Sequence, residues 1–214
     1  MTHRPIAVLA RLAGVTAVAA FAMACTAAPA APSVAPSAST GSGGGTCPTT
    51  QPAPLAAGET RTVTITTELG SMTIGIKADL SPIAAGNFVA LADCGFYDGV
   101  VFHRVVPDFV IQGGDPSGTG AGGPGYTIQD EPVTTMYSRG TVAMARTDAP
   151  DSVGSQFFIV LDDSARDALA SYNTYQIIGS VTAGMETADR IAGAADAQLP
   201  SDPVVMTDVS VSNP

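Results

Sequence analysis

Residues 100–116, VVFHRVVPDFVIQGGDP, set three polar side chains inside two apolar runs: His103, Arg104 and Gln112. A guanidinium is permanently charged, planar and rich in N–H donors. It can therefore stabilise a lone pair or a developing negative charge without giving up a proton. Gln112 and, farther along, Gln156 can both donate to and accept from peptide groups. The aromatics Phe102, Phe109, Phe157 and Phe158 stand close by in the chain. No nucleophile and no acid–base pair accompanies this set, so it suits binding and electrostatic stabilisation rather than covalent chemistry. Spacing alone also allows a plainer reading, a half-exposed sheet surface with incidental polar residues.

Other chemistries find less support. GTGAGG at residues 118–123 matches G-x-G-x-x-G, but Pro124 and Gly125 follow, so no helix opens there and no dinucleotide site is expected. His103 is the only histidine beyond the N-terminal region, and there is no Cys-x-x-Cys, so no metal site is expected. Neither a calcium-loop pattern nor a G-x-S-x-G is present. No cofactor is implied.

The elements that must position Arg104 and Gln112 read as mainly β. Residues 60–77 alternate apolar and polar, with Val63 and Ile65, then Met72, Ile74 and Ile76, and predict a hairpin turning at Leu69-Gly70. Ser81 suits an N-cap and Pro82 a first helical position. Ile83, Ala84, Phe88 and Leu91 give that helix an apolar stripe, and Gly95 can end it. Further strands are expected at 100–106, 109–113, 140–145, 156–161, 176–182 and 204–211, and a second helix at 185–194. Strand parity puts Phe102 with Arg104, Val110 with Gln112 opposite Phe109 and Ile111, and Gln156 with Phe158 opposite Phe157 and Ile159. Eight short strands and two helices suggest a closed antiparallel barrel or a sandwich.

The chain has 214 residues, 45% of them hydrophobic, enough for one domain with a sizeable core. A net charge of -10 argues against nucleic acid as a partner. The chain divides into three segments. Residues 1–24 carry Arg4 and Arg11 before an apolar run too short to span a membrane, and read as a signal peptide. Residues 25–58 are Ala, Pro, Ser, Thr and Gly with almost no large apolar residue, and read as a tether. Residues 59–214 form the globular domain. AMAC at 22–25 resembles a bacterial lipobox, in which Cys25 would carry lipid; a plainly secreted protein is the alternative. Cys47 and Cys94 then remain, an even pair that would form a disulfide in an oxidising compartment or stay as two buried thiols.

FHRVVPDFVIQGGDP together with GSQFFIVL resembles the cyclophilin family of peptidyl-prolyl cis-trans isomerases. SPIAAGNFVALADCGFYDGVVFHR, GTVAMAR and YQIIGSVTAGME extend the resemblance over nearly all of residues 60–212. It implies an eight-stranded closed antiparallel barrel capped by two α-helices. It implies that the catalytic arginine is Arg104, with Gln112 helping to orient it. The proline pocket would be Phe109, Val110, Phe158 and Leu169. Contacts to the substrate backbone would come from Gln112, Ala145, Arg146 and Gln156, with Tyr175 near the pocket and His103 structural. The family often has methionine at Val110, asparagine at Arg146 and histidine at Tyr175, and the loop RTDAPDSVG is one residue longer than the common form. The expected partners are proline-containing peptides or unfolded proteins, met by a monomer on the outer face of the bacterial membrane. A non-catalytic proline-peptide-binding or chaperone module on the same barrel is the alternative.

Overall fold

The computed structural model describes residues 45–213; the leader at 1–24 and Cys25 lie outside the described residues. Strands β1 (Thr60–Thr67) and β2 (Gly70–Lys77) form the expected hairpin, with Thr67 opposite Gly70. The turn residues are therefore Glu68 and Leu69, one position earlier than the sequence suggested. Val63, Ile65, Met72, Ile74 and Ile76 are all fully buried, as alternation requires when one face meets the core.

Helix α1 (Pro82–Asp93) starts at Pro82 as expected, but Ser81 makes no side-chain capping bond. Glu131 takes that role from 48 and 47 residues away: its two carboxylate oxygens accept from the backbone N–H of Ile83 and Ala84, both at 2.9 Å. A carboxylate at the positive end of the helix satisfies two orphan donors and the helix dipole together. At the other end Gly95 is left-handed (φ 79°), and Phe96 N–H bonds to Leu91 O while Gly95 N–H bonds to Ala92 O. That paired closure is the Schellman arrangement, which favours glycine at this position.

Short strands follow: β3 (Arg104–Val106), β4 (Val110–Gly113), β5 (Thr141–Met144), β6 (Phe157–Val160), β7 (Ile177–Ala183) and β8 (Asp208–Ser212). Helix α2 (Arg166–Tyr172) lies between β6 and β7, after a 3-10 turn at Asp163–Ala165, and α3 (Met185–Ala194) lies between β7 and β8. All eight strands pair antiparallel in the order β3-β4-β6-β5-β7-β2-β1-β8.

Two expectations need correction. The sheet is curled but open: β3 and β8 do not form a ladder. Only the segments ahead of them meet, through a bridge between Val101 and Val205 and the bonds Phe102 N–H to Val204 O and Met206 N–H to Val100 O. The runs 100–106 and 204–211 are thus strands only in their later parts. There are three helices among the described residues, not two. The missed α2 has only seven residues, too short for a visible apolar period, and Asp162 caps the 3-10 turn ahead of it by accepting from Ser164 N–H.

The sheet separates two apolar clusters. The larger holds Ile111, Val142, Met144, Phe157 and Ile159 with α1 residues such as Phe88 and Leu91. The smaller holds Val110, Ala143, Phe158, Val160 and Ile177 against Tyr137 and, from the second helical segment, Ala165 and Leu169. Parity along β4 and β6 is as the sequence implied, except at Phe109, which precedes β4 in the turn and packs on the smaller cluster beside Val110 rather than with Ile111. It also fails at Phe102, which belongs to the larger cluster although Arg104 faces the other way, because the chain is irregular at 102 and 103.

The tether reading does not hold for residues 47–58. Cys47 is disulfide-bonded to Cys94 at the end of α1. Leu55 N–H donates to Pro82 O at 3.1 Å, and its side chain packs on the larger cluster. Gly86 admits this strap: a Cβ there would sit 2.5 Å from Ala53 O. The composition lacks large apolar residues, but a covalent clip and one leucine suffice to hold the strap. Reduction of the disulfide is expected to destabilise the fold by roughly 2 kcal/mol, at the low end for disulfides because a peripheral segment is clipped. Thermal melting with and without reductant checks this, and protease cleavage confined to residues 48–57 should appear only after reduction.

Candidate active site

Register assembles the site. Arg104 on β3 stands opposite Gln112 on β4, Gln112 opposite Phe158 on β6, and Phe158 opposite Ala143 on β5. Residues directly opposite in antiparallel strands share a face, so one arginine, one amide and one aromatic ring line up across three strands. The bend between β3 and β4 uses Pro107 and Asp108, the latter left-handed at φ 58°.

This face opens into a groove of about 510 Å³. Val110, Phe158 and Leu169 are its least exposed walls, at 2%, 4% and 4%. Phe109 and Tyr175 complete the apolar part, with the Tyr175 ring edge-on to Phe158 at 5.4 Å between centroids. Arg104, Gln112, Ala145 and Arg146 supply the polar border. Nine of the ten residues expected at the catalytic and substrate-binding positions meet here. The tenth, Gln156, borders an adjoining cavity of about 520 Å³, which shares Gln112, Ala145 and Arg146 with the groove and is framed by residues 120–127. Asp148, Ala168 and Tyr172 also line the groove. Sequence reading missed them because α2 itself went unrecognised and Asp148 sits in the lengthened loop.

The amides form a chain. Gln112 Nε2 donates to Gln156 Oε1 at 2.9 Å, and Gln156 Nε2 donates to the carbonyls of Gly120 and Gly122 at 3.0 and 2.9 Å. Gln112 was expected to orient Arg104; its amide nitrogen instead reaches Gln156. The guanidinium is taken by Gln198, in the loop between α3 and β8. With its amide turned so that oxygen faces the donors, Gln198 Oε1 accepts from Arg104 Nε and Nη2, each at 3.1 Å. A single glutamine in a polar loop carries no signal that sequence reading could have used. Arg146, expected as a substrate-backbone contact where the family often has asparagine, lines the groove. Its charge is met by Asp130, at 2.9 Å, and its remaining donors go to Thr147 O and Ala149 O. Arg146 thus staples the 146–152 loop.

The glycine-rich segment has a structural purpose. Buried Asp115 accepts from the N–H groups of Ser117, Thr119, Gly120 and Gly122 and from the Ser117 hydroxyl. Burial pushes its carboxyl up, but the bonds from Ser117, Gly122 and Gly120 outweigh this and hold it at about 2 against an ordinary 3.8. A depressed carboxyl pKa adds stability that is complete above about pH 4 and is lost as pH falls toward about 2. Urea midpoints measured across that window should fall for the wild type, and Asp115→Asn should lose this part of the pH dependence. His103 lies beside Gly120, buried, with neither ring nitrogen hydrogen-bonded among the described residues. Burial lowers its pKa, opposed by Asp115 and reinforced by Arg104, and it does not line the groove.

The arrangement offers an apolar pocket with a fixed cation at its mouth and side-chain amides along one side. Among the described residues there is no cluster of three metal-ligating side chains. Residues 62–211 match the family described as cyclophilin type peptidyl-prolyl cis-trans isomerase/CLD. The chain is 43% identical over 123 residues to peptidyl-prolyl cis-trans isomerase B of Bacillus subtilis, covering 55% of this chain and 82% of that one. It is 39% identical over 137 residues to peptidyl-prolyl cis-trans isomerase-like 2 of Cryptococcus neoformans, covering 60% of this chain but only 23% of that longer protein. Among solved structures, a cyclophilin type isomerase of Cryptosporidium parvum, crystallised in the presence of the dipeptide Ala-Pro, matches with a TM-score of 0.63 and 31% identity. That match covers 72% of this chain and 99% of the other.

Proposed function

This chain belongs to the cyclophilin-type peptidyl-prolyl cis-trans isomerase family, and we propose that its groove accelerates rotation about Xaa-Pro bonds in exported or envelope proteins. The observation that carries this reading is Arg104, a guanidinium with no ion pair among the described residues, at the mouth of an apolar pocket.

The peptide bond resists rotation by roughly 18–20 kcal/mol because the nitrogen lone pair is delocalised into the carbonyl. The isomers at proline differ little in energy, yet exchange takes tens to hundreds of seconds. Catalysis therefore needs neither a covalent bond nor a proton transfer. It needs preferential stabilisation of the twisted amide, whose nitrogen has become pyramidal and basic. Phe109, Val110, Phe158 and Leu169 hold the pyrrolidine ring. Gln112, Gln156 and the Ala145 backbone hold the chain beside it. Arg104 then donates to the prolyl nitrogen only once conjugation is broken, so the bond strengthens in the transition state and raises the rate. A barrier lowered by about 7 kcal/mol corresponds to roughly a 10⁵-fold acceleration.

Exchange spectroscopy on an Ala-Pro-containing peptide with the purified protein tests this directly. Catalytic amounts should broaden and merge the cis and trans signals. Binding of the peptide without faster exchange would assign the groove to the non-catalytic reading instead. The proposed location is the outer face of the bacterial cell membrane, through lipid on Cys25, with the protein acting as a monomer. The Cys47–Cys94 disulfide supports an oxidising compartment, and mass spectrometry of the mature N-terminus tests the anchor.

A further inference from the structure

We propose that Gln198 is a positioning residue for catalysis: it holds the Arg104 guanidinium in one plane while leaving its charge uncompensated. This rests on the role given to Arg104 above. Gln198 grips β3 twice. Its carbonyl accepts from Val105 N–H at 2.9 Å, and with the amide turned so that its oxygen faces the donors, its side chain accepts from Nε and Nη2 of Arg104 at 3.1 Å each. The loop that carries it is itself pinned, because Asp196 accepts from Ser201 N–H at 3.0 Å and from the Ser201 hydroxyl at 2.6 Å.

Two donors of one edge are thus occupied, and the other three N–H groups of the guanidinium remain for the groove. A free arginine side chain has several rotatable bonds, and fixing it beforehand removes an entropy cost from the catalytic step. The choice of a neutral acceptor matters as much as its place. A carboxylate at the same position would hold the fork equally well, but it would neutralise the charge that must meet the prolyl nitrogen. A glutamine avoids this.

The test compares wild type, Gln198→Ala, Gln198→Glu, Arg104→Ala and the double variant Arg104→Ala with Gln198→Ala. Exchange spectroscopy gives kcat, and peptide titration gives Kd. Gln198→Ala should lower kcat about tenfold with Kd for the peptide within about twofold, since binding is made by the pocket and the amides. In the Arg104→Ala background the same substitution should change nothing further, because Gln198 acts only through the guanidinium. Gln198→Glu should lower kcat at least as far with melting unchanged. An unaltered kcat in Gln198→Ala, or an equal loss in the Arg104→Ala background, overturns the positioning role. A wild-type kcat in Gln198→Glu overturns the need for a neutral acceptor. Full activity in Arg104→Ala alone would instead strike the underlying reading of Arg104.

Discussion

Arg104→Ala is expected to lower kcat/KM for a Xaa-Pro peptide by about a hundredfold to a thousandfold while leaving the thermal melting curve in place. The magnitude is that of deleting one preorganised donor from a site where charge develops in the transition state. The stability part follows from position. Arg104 is half-buried at the edge strand β3, whose pairing with β4 uses backbone groups, and its side chain faces the groove rather than either apolar cluster. Among the described residues no acid neutralises it, so its removal strands no buried carboxylate. Arg104→Lys is the sharper control. It keeps the charge but loses the planar fork that Gln198 holds, and should recover little of the activity. Exchange spectroscopy beside thermal melting decides the matter: a variant that melts like wild type and still catalyses would remove Arg104 from the mechanism.

Much of this site could be read from the sequence because it is written in strand parity. Along β4 and β6 the alternation of faces is uninterrupted, so Val110 could be placed with Gln112 and, separately, Gln156 with Phe158; that the two strands are neighbours is not written in parity, and only the family resemblance implied it. Where the chain is irregular, parity misleads. Phe102 and Arg104 are two apart and face opposite ways, since 102 and 103 do not continue β3. Contacts across long sequence distances were invisible for a different reason. Glu131 capping α1, Asp130 meeting Arg146 and Gln198 meeting Arg104 are each single polar residues in loops, with no periodic neighbour to mark them. The strap at 47–58 shows the limit of composition. It lacks the apolar surface to fold alone, yet it docks because Cys94 and the bare backbone at Gly86 receive it. Openness of the sheet was equally unreadable, because a run of apolar residues does not say whether its first half pairs as a ladder or through one bridge.

The adjacent phenylalanines of β6 give the second large effect, and they should fail in opposite ways. Phe157 is fully buried, with ring centroids 5.1 Å from Phe88, 5.6 Å from Tyr97 and 6.1 Å from Phe102, each edge-on. Phe157→Ala would leave a cavity enclosed by aromatic rings that belong to three other segments and cannot collapse together. The cost should be about 4 kcal/mol, a drop of roughly 10 °C or more in melting temperature for a domain of this size. Phe158, one residue on, belongs to the smaller cluster and lines the groove. Removing its ring enlarges a space already open to water, so the stability loss should be smaller. Instead the pyrrolidine ring loses its wall, and peptide Kd should rise about tenfold or more, the effect of removing a buried aromatic anchor. Melting and titration of the two variants side by side check the assignment. If Phe157→Ala weakens binding without lowering the melting temperature, or Phe158→Ala lowers the melting temperature as far as Phe157→Ala with binding intact, then the two faces of β6 have been exchanged. The groove described here would then not be the place where proline is held.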